Sequence, residues 1–296
     1  MSKLAVLSRN PKLYSTARLV EAARGLGADV VVIDPLECVV NLSKRRPEID
    51  LHGRAVKDIA GVIPRIGASI TFYGLSVLRQ FEMMGVFAAN ESQAVARSRD
   101  KLRTLQLFSR HDIGIPPTAF ARRREDLRDA IQRVGGTPVV LKLLEGTQGV
   151  GVILAESVSS AESVLDAMRS LKQNILIQAF IREAKGQDIR AIVVGDRVVA
   201  AMRRKAAEGE FRSNVHRGGS TAAVELDDEY ERTAIEAAQV LGLNIAGVDL
   251  MPSDDGPMVL EVNSSPGLQG IETATGVDVA GAMVQFVLDH LDGAGP

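Results

Sequence analysis

The chain predicts an α/β domain followed by a mixed α+β domain, and three observations carry that expectation. Residues 4–34 read as strand, helix, strand, the βαβ unit that implies a parallel sheet. Beyond residue 138, strands come in close succession with short turns between them, as antiparallel hairpins require. The length, 296 residues, suits roughly two domains at a usual ~150 residues each.

Each element follows from local pattern. Leu4-Ala5-Val6-Leu7 is a short apolar run suited to a buried strand. Ser15 is placed to cap a helix whose apolar positions Ala17, Val20, Ala23 and Leu26 recur at helical spacing, and Gly25 and Gly27 end it. Val30, Val31, Val32 and Ile33 are consecutive β-branched residues, which favour a strand over 29–34. Residues 60–66 give another strand and 75–84 a helix, completing a small α/β domain over residues 1–95. Ser8-Arg9-Asn10-Pro11 follows the first strand in place of a glycine-rich dinucleotide fingerprint, which weakens a nicotinamide-binding Rossmann assignment.

The second half is more irregular. Residues 100–111 form a helix with Asp100 near its N-cap and Leu102, Leu105 and Phe108 on one face; Gly114-Ile115-Pro116-Pro117 then breaks the chain. A short helix over 127–134 is closed by Gly135-Gly136. Strands are expected over 139–144, 152–155, 175–180, 189–194, 198–203, 245–251 and 258–262, with helices over 161–171, 229–241 and 279–290.

Composition excludes several classes of protein. Apolar residues at 46% and charged residues at 24% are ordinary for a folded domain and rule out a disordered or collagen-like chain. A single cysteine, Cys38, leaves no intramolecular disulfide, fits a cytoplasmic location and suits a small buried hydrophobe. No apolar run reaches the ~18 residues of a membrane helix. The four histidines are scattered without zinc spacing. Aromatics at 4% with no Trp lack the interleaving of a nucleic-acid surface. The net charge of −2 hides an asymmetry: residues 1–224 carry 34 basic and 23 acidic residues, and residues 225–296 carry Arg232 alone against 14 acidic ones.

Three constellations can carry chemistry. Gly146, Gly149 and Gly151 lie in a loop between two strands with Lys142 just ahead, so backbone N–H groups and an ammonium can meet an anion; a plain hairpin turn satisfies the same pattern. Glu261 and Asn263 are two apart on one strand and share a face, and folding about Asp254-Asp255 brings Asp249 opposite Glu261, an oxygen-rich set suited to magnesium. Arg203-Arg204-Lys205 and the run from Phe211 to Gly219 make either an anion-binding loop or a solvated one. Arg122-Arg123-Arg124, Arg97, Arg99 and Arg103 are expected to face solvent.

Taken together and in order, Lys101, Lys142, the glycine loop, Asp249 and Glu261-Val262-Asn263-Ser264-Ser265-Pro266-Gly267 resemble the ATP-grasp ligases. The segments from Phe211 to Gly219 and from Ser265 to Glu272 are similar to the RimK branch, which adds glutamate to the C-terminus of the sixth small-subunit ribosomal protein. The resemblance implies a Rossmann-like pre-ATP-grasp α/β domain (1–95), then a two-subdomain ATP-grasp fold split into 96–186, with the glycine loop, and 187–296, with the metal site. It implies ATP contacts at Lys101, Lys142, Gly146, Gly149, Gly151, Gln178, Ala179, Phe180, Asp188, Arg212, Ser213 and Asn214, with two Mg2+ or Mn2+ ions on Asp249, Glu261 and Asn263. Arg204 and Arg212 are the expected catalytic residues, stabilising the transferring phosphoryl group or the tetrahedral oxyanion. The family often has Glu-Tyr where this chain has Ala179-Phe180, at the hinge that holds adenine.

The implied partners are ATP, free glutamate and a ribosomal protein C-terminus, in a cytoplasmic homo-oligomer (a tetramer by family resemblance), without direct nucleic-acid or membrane binding. The implied reaction runs through an acyl phosphate, possible without a covalent enzyme nucleophile. Alternatives are an ATP-grasp amino-acid ligase with another acceptor or one making free poly-glutamate, and a non-catalytic nucleotide-binding module.

Overall fold

The computed structural model describes residues 3–121, 123–143, 151–170, 174–207 and 219–293. β1 (Lys3–Leu7), α1 (Tyr14–Gly25) and β2 (Asp29–Ile33) form the expected βαβ unit, with Lys3 opposite Asp29 and Leu7 opposite Ile33 in parallel register. The helix begins differently from expectation. Leu13 is its N-cap, and the Ser15 hydroxyl instead accepts the Leu268 N–H at 3.0 Å, so it ties α1 to a distant turn. β3 (Cys38–Ser43), β4 (Arg46–Leu51) and β5 (Arg54–Ala55) then make a small antiparallel sheet. Cys38 is buried, and burial followed by the charges of Asp34 and Glu37 pushes its thiol up to about 11. β6 (Ile59–Pro64), α2 (Thr71–Met83) and β7 (Phe87–Ala88) complete a parallel sheet of order β2-β1-β6-β7.

Two helices lead into the second sheet. α3 (Ser92–Arg99) is followed at once by α4 (Lys101–Arg110), whose N-cap is Asp100, accepting the Arg103 N–H at 3.0 Å. β8 (Thr118–Phe120), α5 (Leu127–Arg133), β9 (Val139–Leu143), β10 (Val152–Ala155), α6 (Val158–Ser170) and β11 (Ile175–Ala179) build an antiparallel sheet of order β10-β9-β11-β8. The third sheet holds β12 (Gln187–Val194), β13 (Arg197–Lys205), β14 (Ser220–Ala223), β15 (Ile245–Met251) and β16 (Met258–Asn263), in the order β14-β13-β12-β15-β16. α7 (Asp228–Val240) covers one of its faces, capped by Asp227, which accepts from the Glu229 and Tyr230 N–H groups.

α8 (Gln269–Thr275) and α9 (Val279–Gly293) end the described chain. Their apolar side chains Ile271, Met283 and Val287 share one core with Leu4 and Val6 of the first sheet and with Ile192 and Met202 of the third. Each sheet lies within one of the three expected segments, yet this core runs across the first and last of them. At Gly61 a Cβ would stand 2.9 Å from Val287 Cγ1, so glycine lets β6 and α9 approach closely. Asn90 adds a polar clamp. Its carbonyl accepts the Asn244 and Ile245 N–H groups at 2.9 Å each, and its amide donates to Ile245 O at 2.7 Å and Ser264 O at 3.1 Å. Among the described residues no single helix is long and apolar enough to cross a membrane.

Candidate functional site

Strand alternation divides the third sheet. Ile189, Ala191, Val193, Val248 and Leu250 face α7 in one core. On the other face, Ile192, Ala200 and Met202 are covered by α8 and α9, and beyond them lie Asp188, Arg190, Arg204, Asp249 and Glu261. Antiparallel register lines these groups up: Glu261 opposite Asp249, Asp249 opposite Arg190, and Asp188 opposite Arg204. The short turn between β15 and β16 sets Asp249 against Glu261, as folding about Asp254-Asp255 predicts.

Two arginines bind the buried Asp249. Arg190 does so bidentately, Nε to Oδ1 and Nη2 to Oδ2, both at 2.7 Å. Arg204 adds Nη2 to Oδ2 at 2.9 Å and also grips Asp188, with Nε–Oδ1 at 2.6 Å and Nη2–Oδ2 at 2.8 Å. Burial works against the Asp249 charge, but the two guanidiniums prevail and hold its carboxyl down at about 2. Arg204 is correspondingly raised: its burial disfavours the cation, and Asp249 and Asp188 more than offset that. Two carboxylates and two guanidiniums thus balance in a mostly buried quartet, joining the basic and acidic portions of the sequence.

Glu261 has no ion pair within 4 Å among the described residues, and its side chain is open to solvent. Although solvent reaches it, the carboxylate is flanked by protein, and its carboxyl is raised, chiefly by that partial loss of solvation and then by the Asp249 charge, against the pull of Lys101, Arg190 and Lys142. Lys101 leads α4 and donates from Nζ to Leu143 O at 3.1 Å, which brings it to the end of β9. Burial lowers its ammonium, and Glu261 partly restores it. Lys142, on β9 opposite Val152 and Leu176, is pushed down to about 8 by burial, with Glu261 opposing and the Lys101 charge reinforcing the shift. The second and third sheets therefore meet across a region where two lysines act on one carboxylate.

The remaining expected residues fall elsewhere or out of view. Gly151, with φ of +79°, closes the β9–β10 hairpin, where its carbonyl accepts the Leu143 N–H at 2.9 Å. Gly146, Gly149, Arg212, Ser213 and Asn214 lie outside the described residues. Gln178 is buried and donates from its amide to Thr118 Oγ1 at 2.8 Å. The Ala179 N–H donates to Pro117 O at 2.8 Å, so that backbone donor is taken within the sheet; half-buried Phe180 begins the segment that leads from β11 to β12. Asn263 ends β16 opposite Gly247 and is half-buried.

Sequence pattern missed Arg190, although its place two residues beyond Asp188 on an apolar strand put both on one face. It also misplaced two arginines expected at the surface. Arg97 Nε donates to Leu241 O at 2.9 Å. Arg99 is half-buried, donates from its guanidinium to Ile66 O, and is lowered by burial with the Glu261 charge opposing. Arg123 is at the surface as expected, paired with Asp126.

The oxygen donors available to a divalent cation are unequal. Asp249 already accepts three guanidinium hydrogen bonds, whereas Glu261, raised and with no ion pair among the described residues, has a carboxylate that a cation would stabilise; Asn263 shares its face. Among the described residues no three Asp, Glu, His or Cys side chains gather as a metal site. Glu261 and Asn263 fit magnesium shared with substrate phosphates, the usual arrangement for this hard ion.

Known proteins match this architecture over its length. Residues 2–95 match the RimK pre-ATP-grasp domain and residues 98–287 the RimK-like ATP-grasp domain. A probable alpha-L-glutamate ligase of Pseudomonas aeruginosa is 59% identical over 285 residues, covering 96% of this chain and 95% of its own. One from Vibrio cholerae is 58% identical over the same shares of the two chains. Among solved structures, a RimK domain ATP-grasp protein from Sphaerobacter thermophilus superposes with a TM-score of 0.74 at 26% identity, covering 97% of this chain and 100% of its own. The ATP-grasp ligase PsnB, solved with a precursor peptide and AMPPNP, has a TM-score of 0.77 at 21% identity, with 98% of each chain covered, and so shares the fold.

Proposed function

Because the chain belongs to the RimK family of ATP-grasp enzymes, we propose that it joins glutamate to a protein carboxyl terminus at the expense of ATP, the acceptor being a small-subunit ribosomal protein. The observation that carries this proposal is the convergence of Lys101 and Lys142 on Glu261, beside the Asp249 quartet. Such a cleft can gather a polyphosphate and a carboxylate, which repel each other in water, and hold them for in-line transfer.

An acceptor carboxylate oxygen attacks the γ-phosphorus, the bond from phosphorus to the β–γ bridging oxygen breaks, and ADP leaves. The resulting acyl phosphate carries a leaving group that a free carboxylate lacks. The neutral amine of glutamate attacks its carbonyl carbon, phosphate departs with the C–O electron pair, and the amine loses a proton to solvent or a nearby base. Lys101 and Lys142 bind and orient the phosphates, with charge fixed before the reaction begins. Glu261 and Asn263, with Asp249 opposite Glu261, would hold magnesium, which would supply further neutralisation of phosphate charge. Arg204 acts through Asp188 and Asp249 as a positioning residue, because its guanidinium is committed to both. Arg212 is assigned to the transferring phosphoryl group.

A cytoplasmic location belongs with this function, since ATP and ribosomal proteins are found there. A homo-oligomer belongs to the same proposal; Phe72, 87% exposed on α2, and Leu42, 82% exposed on β3, are apolar side chains that a subunit contact would cover. The test is ADP release by the purified chain with magnesium, ATP and glutamate, with and without acceptor. Release that needs both glutamate and acceptor, with a gain of one glutamyl unit per ADP, is expected. Chain growth without a ribosomal acceptor would replace that acceptor with free glutamate, and no glutamate-dependent ADP would refute the ligase.

A further inference from the structure

β6 leaves the first sheet at Pro64, so Arg65 stands at the carboxyl edge of parallel strands, the side on which open α/β sheets meet their ligands. The backbone around it is fixed: the Arg65 N–H donates to Leu7 O at 2.9 Å, and Ser265 Oγ donates to Pro64 O at 3.3 Å. Arg99 holds the next carbonyl, that of Ile66. Val62 and Ile66 belong to the core beneath α2, whereas Ile63 belongs to the core that contains Leu268. Alternation therefore sends the Arg65 side chain toward the turn that precedes α8. Burial pushes its guanidinium down to about 10, and no carboxylate among the described residues offsets that. In the same turn, Ser264 Oγ is buried with no hydrogen-bond partner in the described structure.

A half-buried cation with no carboxylate partner among the described residues and an orphaned buried hydroxyl are each unfavourable alone, and one anion can relieve both. The neighbouring cations divide in direction. Lys101 turns to Leu143 O on the second sheet, and Arg99, two residues earlier, turns to Ile66 O on the first, while both charges act on Glu261. Resting on the ligase assignment, we propose that Arg65, with Arg99 and Ser264, forms the pocket for a substrate carboxylate, separate from the phosphate-facing lysines. A guanidinium matches a carboxylate in a planar, bidentate way that an ammonium does not. The carboxylate comes either from free glutamate or from the acceptor.

The test compares wild type with Arg65→Met and Ser264→Ala, using glutamate, glutamine and isoglutamine as amine donors and the same acceptor throughout. Arg65→Met is expected to raise the KM for glutamate by about tenfold or more, with the KM for ATP unchanged and no loss of thermal stability. The analogue that lacks the bound carboxylate will be insensitive to the substitution and so identifies which carboxylate is held. A rise confined to the acceptor KM keeps the pocket and assigns it to the acceptor. Unchanged KM values for both, or a uniform loss of activity with a lowered melting point, would overturn the pocket. If wild type shows no glutamate-dependent ADP release, the ligase assignment itself fails. The pocket is then judged by calorimetric binding of glutarate: weaker binding to Arg65→Met supports it and equal binding refutes it.

Discussion

Lys142 offers a quantitative test of the cleft. Burial pushes its ammonium down to about 8, from an ordinary 10.5, despite the favourable charge of Glu261. Carrying the charge in the ligand-free cleft therefore costs about 3 kcal/mol. A depressed base is protonated below its folded pKa and neutral above it, so at pH 8 about half the molecules hold a neutral Lys142. Phosphate oxygens favour the ammonium and raise its pKa again, so nucleotide binding must take up a proton. Uptake should be about 0.1 proton at pH 7, about 0.5 at pH 8 and about 0.9 at pH 9, and affinity should weaken roughly tenfold between pH 7 and pH 9. Calorimetry of magnesium–AMPPNP binding in buffers of different ionisation enthalpy measures the uptake directly. Lys142→Met should abolish the part that grows above pH 7.5. Equal uptake in that variant, or an affinity flat from pH 7.5 to pH 9, would refute the placement of Lys142 against the phosphates.

Three further substitutions and one surface control probe the surrounding structure. Arg204→Met strips Asp188 of two hydrogen bonds at 2.6 and 2.8 Å in a buried setting; the cost should be about 3–5 kcal/mol, a melting point roughly 6–20 °C lower, while Arg123→Ala at the surface leaves it unchanged. A drop of under about 2 °C in Arg204→Met would contradict the quartet's role. Asn90→Asp loses both donations, to Ile245 O and Ser264 O, and should destabilise by about 2–5 kcal/mol by chemical denaturation. Glu261→Ala should abolish turnover while the circular dichroism spectrum and melting point stay near wild type, because Glu261 has no ion pair among the described residues; near-normal turnover would remove it from the site.

What the sequence revealed depended on how local the cause was. Strand 152–155 was legible because an unbroken apolar run between turn residues leaves few alternatives, and 245–251 because only Gly247 and Asp249 interrupt its apolar residues. The pairing of Asp249 with Glu261 was legible too, since a short turn joins their strands. The sheet of β3, β4 and β5 was missed. Its strands mix Asn41, Arg46, Pro47, Glu48 and Asp50 among few apolar residues and are largely exposed, so the alternation is weak. Ser15 looked like a cap because capping is a local signal, whereas its actual partner, Leu268, is 253 residues away. Arg190 and Arg99 were hidden for the same reason: their meaning depends on Asp249 and on Ile66, which only the folded chain brings near.

Transfer of oxygen from acceptor to phosphate tests the ligase account most directly. With an acceptor whose reacting carboxylate carries 18O at both oxygens, the acyl phosphate route predicts one 18O in the released phosphate for every amide bond formed with glutamate. Phosphate that carries no label, while glutamate is still being joined, would contradict it.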